Sequence, residues 1–252
     1  MNASLEGRVA FISGAGHGIG RATALAMARL GATVGVNDLK QEFVEEACAQ
    51  IRALGGKAIA LPRDVSSREG MREAVMQLAR EAGRLDIMVN NAAWVRYQPL
   101  AEITPEVMDR MVEIGFKSVI WGIQAAAEAM DAERGGTIVN VASIAGFKSP
   151  MRSVVYSGIK AGVLGITRAA AADLGGRNIR VNAVAPGAVP TEGTAKHRNA
   201  ELDARRIART PLQRLGTVEE IADAICFLAG DAARFLNAEV LRLDGGASET
   251  SL

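Results

Sequence analysis

The feature that most constrains this chain is a glycine-rich octet, Ser13-Gly14-Ala15-Gly16-His17-Gly18-Ile19-Gly20, set between a short apolar run and an alanine-rich helical pattern. Arg8–Ser13 (RVAFIS) reads as a strand and Gly18–Leu30 as a helix. Glycines at such a junction let the chain turn tightly and bring its backbone close to an anion. The helix that follows offers unsatisfied N–H groups and the positive end of its dipole to that anion. A glycine cluster alone is a weak signal. Placed after a strand and at the start of a helix, it is specific for a phosphate-bearing dinucleotide.

Strand-like and helix-like segments alternate to the end of the chain. Further strands are read at Ala32–Asn37, Lys57–Leu61, Leu85–Asn90, Thr137–Ser143, Ile179–Ala185 and Glu239–Leu243. Helices are read at Lys40–Leu54, Arg68–Glu81, Thr104–Glu133, Val154–Leu174 and Thr217–Ala229, the last opening on the capping-box pattern Thr217-Val-Glu-Glu220. The strands are mostly continuous apolar runs, as in a parallel sheet buried on both faces. The expected architecture is therefore a single-domain α/β fold over residues 1–252: a Rossmann-type doubly wound parallel sheet of about seven strands with helices on both faces. Residues 188–214 are polar and irregular, and read as a substrate lid within that domain.

Composition narrows the function classes. The 252 residues are 49% hydrophobic and 23% charged, with a net charge of +1. The basic residues are scattered, which disfavours a nucleic-acid partner. No run of 18 apolar residues suggests a membrane span, and Met1–Arg8 lacks a signal core. A cytoplasmic location is expected, with Cys48 and Cys226 reduced. Two cysteines and two histidines make a metal site improbable.

Asp38 ends the second strand, 18 residues beyond Gly20. A carboxylate there accepts hydrogen bonds from the adenosine ribose hydroxyls and repels an added phosphate, which favours NAD over NADP. Its competing role is N-cap of the next helix. Leu39 follows where a basic residue would be needed to hold the extra phosphate, and His17 is mostly neutral.

A second constellation carries the chemistry. Ser143 closes the fifth strand. Tyr156 and Lys160 lie four apart on the next helix and share a face. Reduction of a carbonyl needs a proton for the oxygen, and the reverse needs a base. A free phenol has a pKa near 10; a nearby ammonium stabilises the phenolate and lowers that value. Lys160 supplies the charge, and Ser143 holds the substrate oxygen. Only one tyrosine other than Tyr156 exists. A His-centred triad is disfavoured, because His17 lies in the glycine loop and His197 in the polar stretch.

With SGAGHGIG (13–20), Asp64-Val65, NNAA (90–93), Ser143, YSGIK (156–160), Pro186-Gly187 with Thr191, and LDGG (243–246), nearly the whole chain resembles the short-chain dehydrogenase/reductase family. The resemblance implies an oxidoreductase moving a hydride between NAD(H) and a small secondary alcohol or ketone. Tyr156 is then the general acid/base, Ser143 the substrate holder, and Lys160 the partner of the nicotinamide ribose. It implies a cofactor site of Ser13, Gly14, Gly16, His17, Gly18, Ile19, Gly20, Asp38, Leu39, Asp64, Val65, Asn91, Ala92, Ala93, Tyr156, Lys160, Pro186, Gly187, Val189 and Thr191. Asn90 would stabilise the central sheet, and Asp64 and Val65 would contact adenine. It also implies a homotetramer built on the two long helices.

This chain departs from the family at three points. Ser13 stands for the usual threonine, and Ala93 for glycine. Gly115 falls where many members carry an asparagine that helps hold a water in a proton path to Lys160. The expectation is that Gly115 leaves room for water and an exposed carbonyl. Two alternatives follow: an NADP-dependent 3-oxoacyl or ketone reductase, and a catalytically impaired nucleotide-binding scaffold. Substrate identity is set near Ala93–Tyr97, Ile144–Met151 and Ala188–Arg214. Trp94, Ile144, Phe147 and Met151, with Ser143, are the candidate substrate contacts. The lid's charges, Lys196, Arg198, Arg205, Arg206 and Arg209 against Glu192, Glu201 and Asp203, read as a solvated surface.

Overall fold

The computed structural model describes residues 4–193 and 199–250; Lys196, His197 and Arg198 lie outside them. Seven strands form one sheet: β1 (Val9–Ile12), β2 (Thr33–Asp38), β3 (Lys57–Pro62), β4 (Ile87–Asn90), β5 (Gly136–Val141), β6 (Ile179–Pro186) and β7 (Val240–Leu243). Their order is β3-β2-β1-β4-β5-β6-β7, every pair parallel. The order reverses between β1 and β4, where a crevice opens at the carboxyl ends of the strands.

Alternate side chains of β1 feed two cores. Ala10 and Ile12 pack with α1 (Gly18–Arg29), α2 (Gln41–Ala53) and the helix Val218–Ala229. Val9 and Phe11 pack with α3 (Arg68–Ala82) and the helices Ser118–Ala129 and Val154–Leu174 on the opposite face. Burial on both faces is why the strands read as unbroken apolar runs rather than alternating ones.

The expected long helix Thr104–Glu133 is three pieces: α4 (Pro105–Val112), a π turn (Glu113–Lys117) and α5 (Ser118–Ala129). Thr104 caps α4, its hydroxyl accepting from Val107 N at 3.5 Å, ahead of proline at the first position. In the π turn Ser118 N–H reaches back to Glu113 O, and Ser118 Oγ donates to Ile114 O at 2.5 Å. Gly115 thereby sits against Ile159, and the Phe116 ring lies over Gly162, both on α6 (Val154–Leu174). No periodicity signal marks such a one-turn widening, which is common at functional sites.

The polar stretch is not wholly irregular. It contains α7 (Ala200–Ala208), capped by Asn199, whose side chain accepts from Leu202 N at 2.7 Å. The last helix, α8 (Val218–Ala229), has the expected capping box between Thr217 and Glu220.

Candidate active site

The crevice is built from the loops that leave β1 and β4. Ser13 Oγ accepts from Asn91 N at 3.0 Å and from Ala92 N at 3.1 Å. Asn91 Nδ2 donates to Ser13 O at 2.9 Å and to Gly14 O at 3.0 Å. One hydroxyl and one amide thus lock the two loops together at the reversal point, so the serine keeps the function of a hydroxyl there. Gly20 approaches the Gly14 carbonyl so closely that an added Cβ would stand 2.1 Å from it. His17 N-caps α1 in an extended conformation without any side-chain hydrogen bond to the helix. Ile19 packs against the core on the α1 side.

Asp38 faces this loop. Its Oδ2 accepts from Gly16 N at 3.2 Å, and a Cβ on Gly16 would fall 2.8 Å from that oxygen. Lys40, not Asp38, is the N-cap of α2. Nearby cations are engaged elsewhere: Lys40 pairs with Glu42 and lies over the Phe43 ring, and Arg63 pairs with Glu73. Leu39 is 64% exposed at the rim. Asn37, not anticipated, donates from Nδ2 to Leu61 O and Arg63 O at 2.8 and 3.0 Å, fixing the exit of β3. Beyond it Val65 is buried, and Asp64 Oδ1 accepts from Ser66 N. A tight glycine turn, a helix whose N-cap residue supplies no side-chain cap, and a carboxylate at the end of β2 fit the pyrophosphate and ribose of a dinucleotide.

Ser143, Tyr156 and Lys160 are brought together. Ser143 caps the turn Ile144–Gly146, its Oγ accepting from Ala145 N at 3.1 Å. Ser143 is close enough to the Tyr156 phenol to favour its ionised form. Lys160 Nζ lies 5.9 Å from the Tyr156 ring centre and donates to Val141 O at 2.6 Å. The expected acidification of the phenol is absent. Burial pushes Tyr156 above the ordinary phenol range and outweighs the opposing pull of Ser143. Burial also brings Lys160 down to about 8. At neutral pH both groups are therefore protonated, with Lys160 poised nearer to losing its charge.

Gly115 stands in the π turn. The residue is buried, and a Cβ there would lie 3.2 Å from Ile159 Cγ2, so a packed side chain borders it rather than Lys160. Asn90 pairs with Asn140 across β4 and β5, Nδ2 to Oδ1 at 2.8 Å, and Asn140 Nδ2 donates to Thr167 Oγ1 at 3.0 Å. This buried polar ladder extends the expected role of Asn90 into α6; Asn140 and Thr167 read in the sequence only as strand and helix positions.

The substrate side differs more. Trp94 is covered by the Arg110 guanidinium at 4.5 Å, and Phe147 by that of Arg242 at 5.0 Å. Met151 is 89% exposed, and Ile144 is half-buried. Tyr97 packs edge-on against Tyr156, ring centres 5.7 Å apart. Burial and the neighbouring phenol raise its pKa, with Arg206 of α7 opposing, so it stays a hydrogen-bond donor. Ala93 is exposed beside Trp94. Across the crevice, Pro186 ends β6, and Gly187 N donates to Leu243 O at 2.9 Å, with Asp244 lying close against Gly187. Val189 packs on the α1-side core, and Thr191 lies over Gly18.

Comparison with known proteins matches this geometry. A family model described as enoyl-(acyl carrier protein) reductase covers residues 14–248. The chain is 38% identical to a 3-oxoacyl-(acyl-carrier-protein) reductase of Thermotoga maritima, covering 96% of this chain and 98% of that one. It is 37% identical to cyclopentanol dehydrogenase of Comamonas, covering 95% and 96%. The structure of 7α-hydroxysteroid dehydrogenase in complex with NADH and 7-oxo glycochenodeoxycholic acid superposes with a TM-score of 0.94 at 32% identity, over 99% and 97% of the two chains.

Proposed function

This chain belongs to the short-chain dehydrogenase/reductase family of oxidoreductases, and from that premise we propose that it moves a hydride between NAD(H) and a small secondary alcohol or its ketone. The observation that carries the reading is the convergence of three side chains, Ser143 beside the Tyr156 phenol and Lys160 Nζ 5.9 Å from its ring centre. The glycine turn and the start of α1 would hold the pyrophosphate of the dinucleotide, whose nicotinamide would supply the hydride chemistry.

In the reductive direction Tyr156 gives its proton to the carbonyl oxygen while Ser143 donates a hydrogen bond to the same atom. The phenolate left behind is stabilised by the Lys160 ammonium, still charged at neutral pH. In the oxidative direction the alcohol proton passes to the phenolate as the hydride leaves carbon. Binding must offset the burial that holds Tyr156 high, and the nicotinamide ribose is the group that Lys160 would meet. Asp38 favours NAD, because its carboxylate stands where an added phosphate would sit and the nearest cations are already paired. Residues 188–214 act as the substrate lid, and the working form is a cytoplasmic homotetramer.

Similarity to the Thermotoga maritima 3-oxoacyl reductase supports a second reading, an NADP-dependent ketone reductase. A screen of secondary alcohols and ketones with each cofactor, followed by NADH or NADPH absorbance, separates the two. The first reading expects alcohol oxidation with NAD well above NADP. NADH binding without turnover on any substrate would instead identify a scaffold that has lost catalysis.

A further inference from the structure

The first turn of α1 holds a carboxylate from far along the chain. Glu192 Oε2 accepts from Gly18 N at 3.0 Å, and Glu192 Oε1 is paired with Arg21 on the same helix. The helix supplies no cap of its own: His17 makes no side-chain cap and no acidic residue lies in its first turn. The preceding residue is folded down as well, since a Cβ on Gly18 would lie 3.2 Å from Thr191 Cβ. The stretch that leaves β6 is thus fastened over the glycine turn by an anion at the place where a pyrophosphate would bind.

Glu192 is charged in this position. Burial opposes ionisation, but its own backbone N–H, the Arg21 guanidinium and the Gly18 N–H together hold its carboxyl below the ordinary range. A phosphoryl oxygen and this carboxylate cannot accept from one N–H at 3.0 Å, and their like charges repel. The carboxylate must leave for a dinucleotide to seat. Thr191, its chain neighbour, must move with it.

We propose that Glu192 is a stand-in for the pyrophosphate that sets dinucleotide affinity in this chain, so that cofactor entry and release of the 188–193 segment are one event. The inference rests on the dinucleotide reading given above. The pair is half-exposed, so the fastening is weak and its effect modest. If the closed form is populated four times as heavily as the open one, apparent affinity falls about fivefold, because only the open fraction binds.

The test is direct binding of NADH, ADP-ribose and adenosine to wild type and to Glu192→Gln by calorimetry, with circular dichroism as a check on folding. The expected result is NADH and ADP-ribose bound about fivefold more tightly by Glu192→Gln, with adenosine unchanged because it lacks the pyrophosphate. Glu192→Ala should tighten the first two at least as much. Equal or weaker binding of ADP-ribose by both variants overturns the proposal while leaving the dinucleotide reading intact. Wild type that binds neither NADH nor ADP-ribose overturns both.

Discussion

An ammonium group in an apolar interior is costly, and Lys160 is held there by its bond to the Val141 carbonyl. Its fall from 10.5 to about 8 means the folded state disfavours the charged form. The penalty is full below pH 8, shrinks as the folded-state lysine deprotonates, and vanishes once the unfolded lysine is neutral near 10.5. Lys160→Met should therefore raise thermal stability at pH 7, by up to about 3 kcal/mol at roughly 1.36 kcal/mol per pKa unit, less what the lost bond to Val141 costs. That gain should decline between pH 8 and 10.5. Melting curves across that range check the sign. The same substitution should remove turnover, because no other cation is positioned against the Tyr156 ring among the described residues. Asp38 gives the complementary case. Asp38→Ala should weaken NAD and relieve repulsion of NADP, shifting the ratio of kcat/KM values by about a hundredfold, or roughly 2.7 kcal/mol. An unchanged ratio would show that Asp38 does not discriminate.

At the scale of elements, the glycine turn, the strand–helix alternation and the capping box of α8 were all legible, because each depends on neighbours within a few residues. Thr217→Ala removes one half of that box and should cost about 1 kcal/mol, lowering Tm by about 2–4 °C. The π turn was not legible. Gly115 and Gly122 interrupt the helical pattern alike, and packing against Ile159 of α6 distinguishes the first. Gly115→Asn should thus cost about 1–3 kcal/mol through crowding of Ile159, and in the double variant Ile159→Ala, which removes the crowding Cγ2, should recover part of it. A double-mutant cycle by urea unfolding measures that coupling; strict additivity would mean the two do not touch. Helix α7 was hidden by a polar sequence without a buried stripe. The Glu192–Gly18 contact was hidden because it joins residues 174 apart. The acidified phenol was a misreading of burial: spacing places Lys160 and Tyr156 on one face but says nothing about how dry that face is.

At the scale of the molecule, one sheet reversal brings the candidate groups to the carboxyl edge of the sheet, and α6, which carries Tyr156 and Lys160, and its neighbour α4 also present apolar side chains outward. Leu100, Met108 and Val154 are exposed around α4 and α6, and Phe235 is wholly exposed beyond α8. A homotetramer should appear as four 26.4 kDa chains in light scattering after gel filtration. Met108→Glu should reduce that mass if α4 lies in an interface; a monomeric wild type would refute the assembly. The central claim concerns one proton, carried by Tyr156 between solvent and the substrate oxygen. Its most direct measurement compares wild type with Tyr156→Phe, following NAD-dependent oxidation of the best secondary alcohol alongside NADH affinity by titration. The expected result is a fall in kcat of about a thousandfold or more with NADH affinity within about threefold of wild type. A Tyr156→Phe enzyme that binds NADH normally and turns over within tenfold of wild type would contradict it.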